Sequence, residues 1–129
     1  MRLLIIDDDD LIGERLELDL TARGHAVSRA VGHAALKLLS AQPWDAVVID
    51  ILMPEVDGVE MILEAKRQPK PPRIIGISGG GKFSAEHYLA LADTFGADAS
   101  FRKPLDFAAV ARAIDVAGET PPAPAGQAT

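Results

Sequence analysis

The chain has no cysteine, no block of basic residues and no apolar run long enough to cross a bilayer. Each absence removes a class of function. Without cysteine there are no disulfides, no thiolate chemistry and no zinc–sulfur site, which fits a reducing compartment. Nineteen acidic residues against 13 basic ones give a formal charge of −6, and the basic stripe that nucleic-acid binding needs is missing. Direct nucleic-acid contact and membrane insertion are therefore not expected. The first residues lack a signal-peptide pattern, so cytoplasm is the expected location. The histidines, His25, His33 and His87, have no acidic neighbours at the spacing of a metal ligand set, and Trp44 and Phe101 are expected in the core.

What the chain does have is alternation. At 129 residues it suits a single domain with a substantial core. Four short apolar runs each end on residues that handle phosphate, metal or charge. Leu3 to Ile6 runs into Asp7-Asp8-Asp9-Asp10, and Ala46 to Ile49 into Asp50. Ile74 to Ile77 runs into Ser78, and Ala99 to Arg102 into Lys103-Pro104. Runs of this length, bounded by turn residues, suit buried parallel strands. A further short strand is expected from His25 to Ala30.

Between the strands, helical spacing predicts five helices: Leu11 to Arg23, His33 to Ala41, Val59 to Lys66, Ser84 to Phe95 and Leu105 to Val116. Apolar faces are expected from Leu11, Ile12, Leu16, Leu18 and Leu20 in the first, and from Val59, Ile62 and Leu63 in the third. Gly24 and Gly96 stand where helix C-terminal caps belong, and Ser84 where an N-cap does. Five βα units with no internal repeat specify a parallel sheet with helices on both faces. Residues 1–118 are expected to form the domain. The Pro- and Ala-rich stretch 119–129 is expected to be a disordered tail or the start of a linker.

In an open α/β sheet ligands bind at the carboxyl edge of the strands. That edge would gather Asp7, Asp8, Asp50, Ser78 and Lys103 into one pocket. Asp9 and Asp10 have a simpler role at the start of the first helix, where carboxylates accept orphan backbone N–H groups. Three converging carboxylates repel one another by roughly 4 kcal/mol per pair at 4 Å and an effective dielectric near 20. They call for a divalent cation, a lysine or a proton. Mg²⁺ suits such a site, being held by one or two carboxylates, water and phosphate. Asp50 would then serve as a nucleophilic carboxylate towards phosphorus. A serine hydroxyl can donate to a phosphoryl oxygen, and a lysine supplies a point charge against it. Pro104 makes a cis peptide after Lys103 an option that would set the lysine's direction.

Over residues 2 to 117 the chain resembles the receiver domains of two-component response regulators. The resemblance rests on Ile6-Asp7-Asp8, on Asp50 followed by Met53-Pro54 and Asp57-Gly58, on Ser78, and on Lys103-Pro104. It implies a flavodoxin-like (βα)₅ fold, a doubly wound sheet with strand order 2-1-3-4-5. It also implies phosphoryl transfer from a phosphohistidine to Asp50, with Mg²⁺ held by Asp7, Asp8, Asp50 and the backbone carbonyl of Leu52. Ser78 and Lys103 would bind the acyl phosphate. The implied partners are a sensor histidine kinase or histidine phosphotransfer protein, and a downstream protein met by the fourth helix, fifth strand and fifth helix. Such a domain is a signalling module rather than an enzyme.

Two departures from the family pattern stand out. The position that often holds an aromatic switch residue is Ser100, and strand alternation points Phe101 to the opposite face. The loop after Ser78 is Gly79-Gly80-Gly81, expected to be mobile without phosphate. Neither Leu52 nor Gly80 offers a polar side chain to orient a hydrolytic water, so a long-lived phosphoryl state is expected. Two alternatives compete with this reading. A haloacid-dehalogenase-like phosphatase would use Asp7 as its nucleophile, within the Asp7-Asp8-Asp9 pattern, and a receiver-like interaction domain would take no phosphate.

Overall fold

The computed structural model describes residues 1–53, 57–79 and 83–116. Five strands alternate with five helices: β1 (Arg2–Ile6), α1 (Asp10–Ala22), β2 (Ala26–Arg29), α2 (Gly32–Ala41), β3 (Ala46–Asp50), α3 (Gly58–Lys66), β4 (Arg73–Ser78), α4 (Ala85–Phe95), β5 (Ala99–Arg102) and α5 (Phe107–Asp115). All strand pairs are parallel, in the order β2-β1-β3-β4-β5. This is the flavodoxin-like order. The tail 119–129 and the glycines at 80 and 81 lie outside the described residues. Among the described residues no helix is long and apolar enough to cross a membrane.

The sheet divides the core in two because successive strand side chains alternate between its faces. Leu4, Ile6, Val47, Ile49 and Ile74 pack against Leu39, Met61, Ile62 and Ala92 from α2, α3 and α4. Leu3, Ile5, Val48, Ile75 and Ile77 pack against Leu16, Leu20, Val110 and Ile114 from α1 and α5. Burying each such large aliphatic side chain stabilises the fold by roughly 1.5–3 kcal/mol. The central strands β1, β3 and β4 are thus apolar on both faces, which is why they form continuous runs.

Side-chain caps set where most of the helices start. Asp9 accepts from the Leu11 and Ile12 amides, Asp57 from Glu60, Ser84 from His87 and Asp106 from Ala109. Gly96 closes α4 with φ +117°, a conformation that excludes most side chains. Two helical faces differ from expectation. Leu11 and Leu18 are 78% and 69% exposed, so α1 meets the sheet through Leu16 and Leu20. In α3 the buried stripe is Met61, Ile62 and Ala65, with Leu63 turned outward.

Strand order reverses at β1, whose neighbours are β2 on one side and β3 on the other. The crevice beyond the carboxyl ends of β1 and β3 is therefore the place where helices leave the sheet in opposite directions. Asp7 and Asp50 stand at its two lips.

Candidate functional site

Asp7 follows the last residue of β1 and Asp50 ends β3, so both carboxylates are delivered by buried strands. Ser78 ends β4 and is fully buried, and Lys103 follows β5. Asp8 is exposed beside them. One oxygen from each of Asp7, Asp8 and Asp50 lies within 4.8 Å of the others. The Lys103 ammonium bridges the two buried carboxylates, 3.0 Å from Asp7 Oδ2 and 3.0 Å from Asp50 Oδ2. The remaining carboxylate oxygens are held by backbone. The Asp9 amide donates to Asp7 Oδ1 at 2.9 Å, and the Leu52 amide to Asp50 Oδ1 at 3.0 Å. Lys103 is itself anchored, its amide donating to the Ser78 carbonyl at 2.9 Å. The Lys103–Pro104 peptide is cis.

Burial pushes the Asp50 carboxyl up from its ordinary 3.8 to about 6; Asp7 adds to the rise and Lys103 opposes it. For Lys103 burial works against the charge, but Asp50 and Asp7 outweigh it and hold the ammonium above its usual range. One lysine thus faces two buried carboxylates and an exposed third. The donor set is hard oxygen throughout, with no histidine or cysteine, which fits Mg²⁺ or Ca²⁺ and not zinc.

Gly58 is a packing residue beside the site, which the sequence showed only as a turn signal. A Cβ there would stand 2.4 Å from the Ile51 Cα and 2.7 Å from the Asp50 carbonyl oxygen. The start of α3 is thus pressed onto the end of β3, and the Gly58 amide donates to the Ile51 carbonyl at 3.0 Å. No local pattern announces a contact of this kind. Two polar links between α4 and β5 were also missed. The Ser100 hydroxyl donates to Asp93 at 3.2 Å, and the Arg102 guanidinium pairs with Glu86. Phe101 turns to the other face and packs against the α1–α5 core, as alternation requires. His25 is nearly buried near the N-terminal amine and Asp115, a structural place away from the site.

The class of protein is thus a flavodoxin-like doubly wound domain with an acidic trio and a lysine at its switch point. The sequence profile of the response regulator receiver domain matches residues 3–115, and the chain belongs to that family. Among curated relatives, the transcriptional regulatory protein AfsQ1 of Streptomyces coelicolor is 43% identical over 74 residues, covering 57% of this chain and 33% of that protein. The match thus spans about a third of that relative's length. A putative response regulator from Chloroflexus aurantiacus is similar in structure, with a TM-score of 0.77 and 30% identity over 92% of this chain and 98% of that one. A response regulator protein from Burkholderia pseudomallei has a TM-score of 0.75 and 27% identity, covering 88% of this chain and 65% of that one. Its crystal structure contains a phosphorylated aspartic acid and a calcium ion.

Proposed function

We propose that Asp50 is the phosphoacceptor of this receiver, taking a phosphoryl group from a phosphohistidine on a sensor kinase or phosphotransfer protein. The observation that carries the reading is the Lys103 ammonium held between Asp7 and Asp50 at 3.0 Å from each. In the transfer an Asp50 carboxylate oxygen forms a bond to phosphorus, the phosphorus–nitrogen bond breaks, and the electron pair leaves with the imidazole. Lys103 places its charge where phosphoryl oxygens would develop negative charge, and Ser78 supplies a hydroxyl at the same edge. Asp7, Asp8, Asp50 and the Leu52 carbonyl would hold Mg²⁺. When bound, that ion neutralises the carboxylates and the incoming phosphoryl oxygens. The phosphorylated aspartate and calcium of the Burkholderia neighbour support both assignments by analogy.

The downstream consequence is a shift in the population of conformers that differ at α4, β5 and α5, and hence in partner binding. A cytoplasmic setting agrees with the absence of cysteine. Incubation with Mg²⁺ and acetyl phosphate, followed by mass spectrometric mapping, tests the assignment. The adduct is expected on Asp50 and absent from Asp50→Asn. An adduct on Asp7 would instead support the phosphatase reading, and no adduct at all the non-phosphorylated one.

A further inference from the structure

Apolar packing holds α4 less firmly than its neighbours. Its buried residues are Ala85 and Ala92, with Tyr88 packed half-buried against the core. By contrast α1 buries Leu16 and Leu20, α3 buries Met61 and Ile62, and α5 buries Val110 and Ile114. Beneath α4, a Cβ on Gly76 of β4 would stand 3.1 Å from the Ala92 Cβ. The helix rests on the sheet there through a methyl group and bare backbone. Because apolar stabilisation scales with buried area, the polar contacts of such a helix carry a larger share of its placement.

Both polar links described above join α4 to β5. Ser100 and Arg102, two apart, share one face of the strand. Glu86 and Asp93, seven apart, share one stripe of the helix. The Arg102–Glu86 pair lies one peptide bond from Lys103, whose ammonium is 3.0 Å from Asp50. It is also at the first turn of α4, which the chain reaches from Ser78. The position where the family often carries an aromatic switch residue is thus one end of a polar link.

We propose that Ser100–Asp93 and Arg102–Glu86 form a latch that favours the unphosphorylated placement of α4, and that modification of Asp50 acts in part by opening it. The proposal rests on the assignment of Asp50 as phosphoacceptor. A phosphoryl group there draws Lys103 and Ser78 towards its oxygens. Arg102 precedes Lys103 directly, so its backbone is carried along and its place over Glu86 is lost. A latch that favours the unmodified placement of α4 lowers the population of the placement that accepts modification, so weakening it is expected to speed labelling of Asp50.

The test uses the full chain with Glu86→Gln, Ser100→Ala, the two combined, and the charge exchange Glu86→Arg with Arg102→Glu. The first measurement is the rate of Asp50 labelling by acetyl phosphate with saturating Mg²⁺. The second is amide hydrogen exchange in α4 without any phosphodonor. The combined variant is expected to label roughly two- to five-fold faster, the range that exposed polar pairs command. Its α4 amides should exchange faster by a similar factor, and the charge exchange should return labelling towards the wild-type rate. Labelling that is unchanged or slower, or α4 exchange that does not move, would overturn the latch. If no protein, wild type included, takes label on Asp50, the phosphoacceptor assignment has failed and the latch as a switch falls with it.

Discussion

Lys103 answers for two carboxylates at once, and its removal should separate binding from chemistry. With Lys103→Met the ammonium no longer competes with a divalent ion for Asp7 and Asp50. Mg²⁺ is expected to bind about tenfold more tightly or better, while labelling by acetyl phosphate slows. Calorimetric titration and labelling kinetics, run side by side, check the two opposite signs. Asp50 makes a second prediction, concerning pH. Its carboxyl is pushed up to about 6 from 3.8, so the folded protein holds that proton more tightly than the unfolded chain. The associated stability is complete below about pH 4 and is lost as pH rises through about 6. Thermal melts in EDTA should therefore fall across that window, and Asp50→Asn should flatten the fall. At this scale the sequence was highly legible, because each site residue ends an apolar run. The shared pocket of Lys103 and the carboxylates was legible too; its bridge between Asp7 and Asp50 at 3.0 Å from each was not, since spacing in the chain sets no distance across the sheet edge.

At the scale of elements, the join between β3 and α3 is the tightest point near the site. Gly58→Ala drives a methyl group into the Ile51 backbone, which no rotamer change relieves. A loss of about 2 kcal/mol or more is expected in urea denaturation, at the upper end of overpacking costs. Helix starts were legible where Asp9 and Ser84 are capping residues at the right offsets, whereas α5 starts at Phe107 behind its Asp106 cap, two residues after the expected Leu105. Helix faces were less so. α1 carries leucines around much of its circumference, and only the position of the sheet decides that Leu16 and Leu20 go in while Leu11 and Leu18 stay out. The same holds for Leu63 against Met61 in α3. Periodicity gives a face its width, and tertiary packing gives it a direction.

The whole molecule is a sheet with a packed layer on each face and its chemistry confined to one edge. The strand order places that edge's crevice between β1 and β3, so the topology followed from the alternation of βα units and the family resemblance together. The charge gathered there has a consequence for the molecule's behaviour in electrolyte. Three carboxylates and one ammonium leave the site two negative charges, within a chain of formal charge −6. Cations are drawn to this edge and anionic small molecules are repelled from it. Raising ionic strength from about 0.02 to 0.3 M shortens the range of both effects. Mg²⁺ affinity should fall over that range, whereas the rate of reaction with acetyl phosphate at saturating Mg²⁺, where the ion cancels the site's two negative charges, should change far less. One electrolyte series, read by titration and by labelling, thus separates a salt-sensitive metal-binding step from a nearly salt-insensitive transfer step.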